Sequence, residues 1–164
     1  MSKSKRILIF FSWFIVAAVA MLIFFFSSQN SQESTQVSHG LIERIYFWYT
    51  SLFGRPCSSG DLLKISFFWD RFVRKLAHFF IYTILGLCCA NAFYLTLSHL
   101  KKAFGFSLLA GCLYAVSDEI HQLFVPGRSC QLSDMALDSC GVLCGILLFC
   151  IILELVTKRR KFYL

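Results

Sequence analysis

The sequence predicts an all-α integral membrane protein: a bundle of four transmembrane helices with an outer amphipathic, interfacial helix between the first and second spans. Three observations carry that reading. The 164 residues are 57% hydrophobic and 15% charged, with a mean hydropathy of +0.66, more apolar than a soluble domain of this size can bury. Four apolar runs approach the ~20 residues that cross a ~30 Å hydrocarbon layer. The basic residues stand in short clusters at the ends of those runs, so the formal charge of +7 reads as membrane anchoring and not as a nucleic-acid surface.

The first span covers about residues 7–26, a charge-free stretch from Ile7 to Phe26 preceded by Lys3, Lys5 and Arg6. A secretory signal has a shorter apolar core and ends at small residues, whereas this run ends in Phe24, Phe25 and Phe26, so it is read as an uncleaved helix. Residues 27–75 form the outer connection. It opens on a Ser, Gln and Asn cluster that predicts an exit loop. From Val37 to Phe53, Tyr and Trp alternate with His39, Glu43 and Arg44, which predicts a helix lying at headgroup depth. Gly54, Pro56 and Gly60 break it, and Asp61 to Arg74 is expected to be a second connecting stretch. The remaining spans are placed at about residues 76–98, 103–123 and 135–156, with a tight link from His99 to Lys102 that makes the second and third antiparallel neighbours. The whole chain is read as one membrane domain.

Orientation follows from the basic residues, which are enriched on cytoplasmic flanks. With both termini inside, three short flanks hold nine of them, from Lys3 to Arg6, Lys101 and Lys102, and Lys158 to Lys161; the long outer segments hold seven. Of the eight cysteines, six lie within apolar runs and are read as small polarizable packing residues. Only Cys57 and Cys130 fall in polar segments, where a single outer disulfide is conceivable.

Two blocks interrupt the apolar pattern with residues that are costly at membrane depth and usually functional there. Arg74 to Tyr82 enters the second span, and Ser117 to Arg128 leaves the third and continues through Asp134 and Asp138 into the fourth. Under the in/in topology all of them gather at the outer face. Lys75, His78, Tyr82 and Gly86 share one helical stripe; Tyr114, Asp118, His121 and Gln122 share another; Asp134, Asp138, Gly141 and Gly145 make a third. The glycines favour close helix approach. Glu119 is rotated off its helix's stripe, toward the interface or a different neighbour. Pro126-Gly127 predicts a turn that carries Arg128 back over the helix ends, where its planar fork suits a phosphate or carboxylate.

These residues resemble the VanZ-like family of bacterial membrane proteins. The resemblance rests on Phe26-Ser27-Ser28-Gln29, on Lys75-x-x-His78-Phe79-x-x-Tyr82-x-x-x-Gly86, on Ser117-Asp118-Glu119-Ile120-His121-Gln122-x-Phe124-x-Pro126-Gly127-Arg128, and on Asp134, Asp138, Gly141 and Gly145. Cys130 stands where the family pattern has Gly. The resemblance implies a multi-pass protein of the bacterial cytoplasmic membrane and cell envelope. For one member it implies lowered susceptibility to teicoplanin, a lipid-tailed glycopeptide antibiotic.

Three functions compete. In the first, the outer polar site binds a lipid headgroup, a cell-wall precursor or a glycopeptide antibiotic. In the second, the chain is a membrane-embedded hydrolase or transferase acting on a lipid-linked phosphate or peptide. There His78, His121 and the carboxylates would supply acid and base or hold a divalent metal, with Arg128 as the anion clamp. No catalytic signature accompanies them, and Asp118-Glu119-Ile120-His121 has no established ligand spacing; whether a cofactor is used is left open. The third, a transporter or proton relay, is disfavoured because the inner halves of the spans are almost wholly apolar.

Overall fold

The computed structural model describes residues 2–54 and 59–162, and their regular structure is helical throughout. The order is α1 (Lys3–Ser27), α2 (Ser31–Phe53), α3 (Ser59–Leu97), α4 (Leu100–Gln122) and α5 (Leu132–Phe162). Four helices carry segments long and apolar enough to cross a membrane: Lys3–Ser27, Lys64–Leu97, Leu100–Gln122 and Leu132–Lys158.

The helix ends differ from the sequence expectation for identifiable reasons. The expected exit loop after the first span is confined to Ser28, Gln29 and Asn30. Asn30 accepts from the Glu33 amide at 2.9 Å, while the Glu33 carboxylate accepts from the Asn30 amide at 3.1 Å; this reciprocal cap starts α2 within three residues of the end of α1. The expected connection from Asp61 to Arg74 is instead the first part of α3. No Gly or Pro interrupts that stretch, and an Asp70–Arg74 ion pair of 2.9 Å spans one of its turns. At ~1.5 Å per residue the 39 residues of α3 exceed a ~30 Å hydrocarbon layer. Between α3 and α4 only Ser98, at φ 53°, and His99 remain outside the helices. Cys130 is a free thiol, and Cys57 lies outside the described residues.

α3 packs against all four other helices, and its contact with α5 is the largest in the molecule. Glycines make that contact possible. A Cβ on Gly141 would sit 2.6 Å from the Phe79 carbonyl oxygen, one on Gly145 would sit 2.7 Å from the Leu87 amide nitrogen, and one on Gly86 would sit 2.8 Å from Val142 Cα. Backbone meets backbone, with no flexible side chain that can step aside. Around this seam Tyr82, Leu85, Cys89, Ala90, Val142, Ile146 and Phe149 form the core with Ile23 of α1 and Ala115 of α4.

α1 runs antiparallel to α3 and is tied to the bundle along its length. Lys5 Nζ donates to Ser98 Oγ at 2.9 Å and Trp13 Nε1 to Thr96 Oγ1 at 3.2 Å. Farther along, Tyr114 donates to the Ala20 carbonyl at 2.7 Å. Outward, α1 shows Phe10, Phe14, Met21 and Phe25, an apolar surface that water would not tolerate at this extent and lipid would. α2 is inverted relative to a soluble amphipathic helix. It buries Ser34, Ser38, Ile42 and Thr50, with Ser38 donating to Asp70 of α3, and exposes Phe47, Trp48, Leu52 and Phe53.

The glycine seam yields a direct test. Gly145→Ala should destabilise the protein by ~1–3 kcal/mol, the range for overpacking a filled interface. Gly105→Ala, where the new methyl meets nothing within 4 Å, should be neutral or slightly stabilising because alanine is the better helix former. Thermal unfolding of both variants in the same detergent checks the contrast; equal stability would contradict the packing described.

Candidate functional site

Up-and-down connectivity brings the C-terminal ends of α1 and α4, the start of α5 and the Arg71–His78 stretch of α3 to one end of the bundle. There the start of α2, the Arg71–His78 stretch of α3, the end of α4, the α4–α5 loop and the start of α5 line a polar cavity of about 290 Å³. Its wall carries Arg71, Arg74, Lys75 and Arg128 as cations, Glu119, Asp134 and Asp138 as carboxylates, and His78, Gln122 and Gln131 as neutral polar groups.

α3 and α5 face one another across the cavity. Lys75 Nζ meets Asp134 Oδ1 at 2.5 Å, and one turn farther in His78 Nδ1 lies 3.9 Å from Asp138 Oδ2. Asp138 is 1% exposed, and neither of its carboxylate oxygens has a hydrogen-bond partner among the described residues. Asp118 of α4 completes the group. Its Oδ2 accepts from Ser27 Oγ at 2.8 Å and from Gln122 Nε2 at 3.2 Å, while its Oδ1 is buried and unpartnered. The fully buried Tyr82 hydroxyl lies beside Asp118, within reach as a hydrogen-bond donor to it.

The α4–α5 loop closes the cavity from above. Gly127 adopts φ 77°, a left-handed conformation that suits glycine, and Ser31 Oγ occupies the space a Cβ would need. The Arg128 amide donates to the Val125 carbonyl at 3.2 Å. This turn aims the Arg128 guanidinium at the C-terminal end of α1, where Nε donates to the Gln29 carbonyl at 3.2 Å and Nη2 to the Phe26 carbonyl at 3.5 Å. Nη1 reaches Gln122 Oε1 at 3.4 Å. A cation at the negative end of a helix is favourably placed, and of five guanidinium donors two stay free to face the cavity. Burial, then the neighbouring Arg74, pulls the Arg128 pKa below the usual arginine value, while Asp118 and Glu119 push it back up. On the other side the Gln131 amide donates to Glu119 Oε2 at 3.0 Å, which pins the loop to α4.

Seven of the ten residues singled out in the sequence line the cavity: Lys75, His78, Glu119, Gln122, Arg128, Asp134 and Asp138. Tyr82 and Asp118 sit next to its lining. Glu119, off its own helix's stripe, joins the cavity because the loop into α5 wraps across that side of α4. His121 does not join it. Its ring packs on Phe24, with centroids 4.6 Å apart, and its Nε2 lies 3.2 Å from Ser28 Oγ, so it faces α1. Arg71 was missed as a cavity residue because it stood in the expected connection, and Arg74, which opens the polar block, was left off its helical stripe. The signal was available, since Arg71, Arg74 or Lys75, and His78 continue one helical stripe.

A second hollow adjoins the first. An apolar cleft of about 230 Å³ lies between α1, α2 and α3, walled by Ile23, Phe26, Val37, Leu41, Val73, Ala77 and Ile81. It shares Arg74, His78 and Arg128 with the polar cavity. An anionic group and an aliphatic chain therefore find their preferred surroundings on two sides of one wall.

No curated protein and no solved structure is significantly similar to the chain. The sequence model of the VanZ/LLP1 family matches residues 11–153, which span all five helices and every residue of the cavity wall. The match and the four span-length apolar helices together support a multi-pass membrane protein, and the chain belongs to the VanZ/LLP1 family.

Proposed function

We propose that the protein is a VanZ-like receptor of the bacterial cytoplasmic membrane whose polar cavity opens outward and holds the anionic headgroup of a lipid or lipid-linked cell-wall precursor. The observation that carries this reading is the wall of Arg74, His78 and Arg128 shared by the polar cavity and the apolar cleft. A phosphate in the cavity would meet guanidinium donors, which bind it through paired hydrogen bonds, while the first part of the attached chain would lie along Ala77 and Ile81 in the cleft. A lipid-tailed glycopeptide antibiotic combines polar and aliphatic parts in the same way, so the lowered teicoplanin susceptibility implied by the family belongs to this reading. The basic clusters at Lys3 to Arg6, Lys101 and Lys102, and Lys158 to Lys161 support cytoplasmic termini, and the aromatic residues of α2 support its placement at headgroup depth.

A second reading, an enzyme acting on a lipid-linked phosphate or peptide, is favoured by one observation: His78, Asp118 and Asp138 converge within 4.8 Å beside the cavity. Such a group suits proton transfer to a bound headgroup.

Binding is tested with purified protein and polyprenyl phosphate, with phosphatidylcholine as the zwitterionic, net-neutral control and inorganic phosphate as the chain-free control. Arg71→Gln and Arg128→Lys should each weaken polyprenyl phosphate binding about 10-fold or more, the loss of one charge-assisted contact. Ala77→Phe, which fills the cleft, should weaken the lipid and leave inorganic phosphate untouched. Equal affinity for phosphatidylcholine, or insensitivity to all three substitutions, would overturn the proposal.

The orientation has its own check. Alkaline phosphatase fused after Arg128 should be active and fused after Lys102 inactive; the reverse pattern would place the cavity on the cytoplasmic side.

A further inference from the structure

His78 on α3, Asp118 on α4 and Asp138 on α5 each offer one donor atom, and the three atoms lie within 4.8 Å of one another. Bonds of about 2.1 Å to a shared ion place donors roughly 3 to 4 Å apart, so small side-chain rotations close the set. We propose that these three residues hold a single divalent transition-metal cation of the Mn²⁺ or Zn²⁺ kind at the inner wall of the polar cavity. The inference stands independently of the headgroup reading.

The state of the carboxylates points to a cation. Asp118 and Asp138 are 4% and 1% exposed, yet Asp118 Oδ1 and both oxygens of Asp138 have no hydrogen-bond partner among the described residues. Buried carboxylates left in this way are among the costliest arrangements a fold can hold unless a cation or proton compensates them. Three of the four cations in the cavity wall are engaged elsewhere: Lys75 by Asp134, Arg74 by Asp70, and Arg128 by the carbonyls that end α1.

The surroundings also orient the donors. Ser27 and Gln122 both hold Asp118 Oδ2, which fixes the carboxylate and leaves Oδ1 turned to the group, as outer hydrogen bonds do for metal ligands. His78 and Asp138 both line the cavity, so an ion between them keeps open positions on that side, the pattern of a metal that meets a substrate or anion. One imidazole with two carboxylates suits Mn²⁺ or Zn²⁺ better than the all-oxygen cages preferred by Ca²⁺. Cysteines take no part, and a hard-donor probe therefore separates this site from thiol binding.

The experiment uses the full chain in detergent, stripped with EDTA and then dialysed against Mn²⁺. Wild type should retain about one equivalent per chain by elemental analysis, with a change in the Mn²⁺ paramagnetic resonance signal and a rise in thermal midpoint on adding the metal. Asp138→Asn and His78→Gln should each lose the retained metal and the midpoint response. The asparagine variant keeps the shape of the side chain and removes the buried charge, so folding is preserved. Wild type without retained Mn²⁺ or Zn²⁺ would overturn the proposal and favour a proton shared by Asp118 and Asp138. Undiminished metal in both variants would equally overturn it, marking the ion as adventitious.

Discussion

Gly86, Gly141 and Gly145 let α3 and α5 meet backbone to backbone, and the position of every group in the cavity follows from that contact. Helices separated by ordinary side chains stand 8–10 Å apart; a seam of small residues brings them closer. The closeness puts Lys75 against Asp134 and His78 beside Asp138 on successive turns, just where the apolar seam gives way to the polar end. Val142, fully buried between Gly86 and Gly111, extends the same close fit to α4 and holds Asp118 within reach of the other two helices.

A bundle built this way has its charged groups at one end because the rest of its interior is filled mainly by apolar side chains. Leu85, Cys89, Ile146 and Phe149 fill the middle, and α1 presents aromatic side chains to its surroundings. Asp118, Glu119 and Asp138 are carboxylates buried at the boundary between the apolar core and the cation-rich cavity. The loop from Phe124 to Gln131 completes the enclosure through Arg128 on α1 and the Gln131 amide on Glu119.

Much of this was legible in the sequence. The four apolar runs marked the spans, and the helical spacing of Lys75, His78 and Tyr82 and of Asp134 and Asp138 put the right residues on facing stripes. What sequence alone obscured has physical causes. Hydropathy falls where Asp70, Arg71, Arg74 and Lys75 enter α3, so one unbroken helix looked like a connection followed by a span. The Asn30–Glu33 cap turned an expected loop into the start of α2. Glu119 and His121 were separable only by knowing which neighbour covers each side of α4: the loop into α5 takes Glu119, and α1 takes His121. Ser27 and Gln131 act through hydrogen bonds to residues far along the chain, a relationship that local pattern does not carry.

The polar cavity and the apolar cleft are proposed as two halves of one lipid-phosphate site. Photo-crosslinking with a polyprenyl phosphate that carries a diazirine on the chain close to the phosphate tests it most directly, with the labelled residues mapped by mass spectrometry. The account predicts labels concentrated on Val37, Leu41, Ala77 and Ile81 of the cleft, and their loss on competition with unlabelled polyprenyl phosphate. Labels spread without competition over the outward surfaces of α1 and α5, such as Phe10, Phe14 and Leu147, would contradict it.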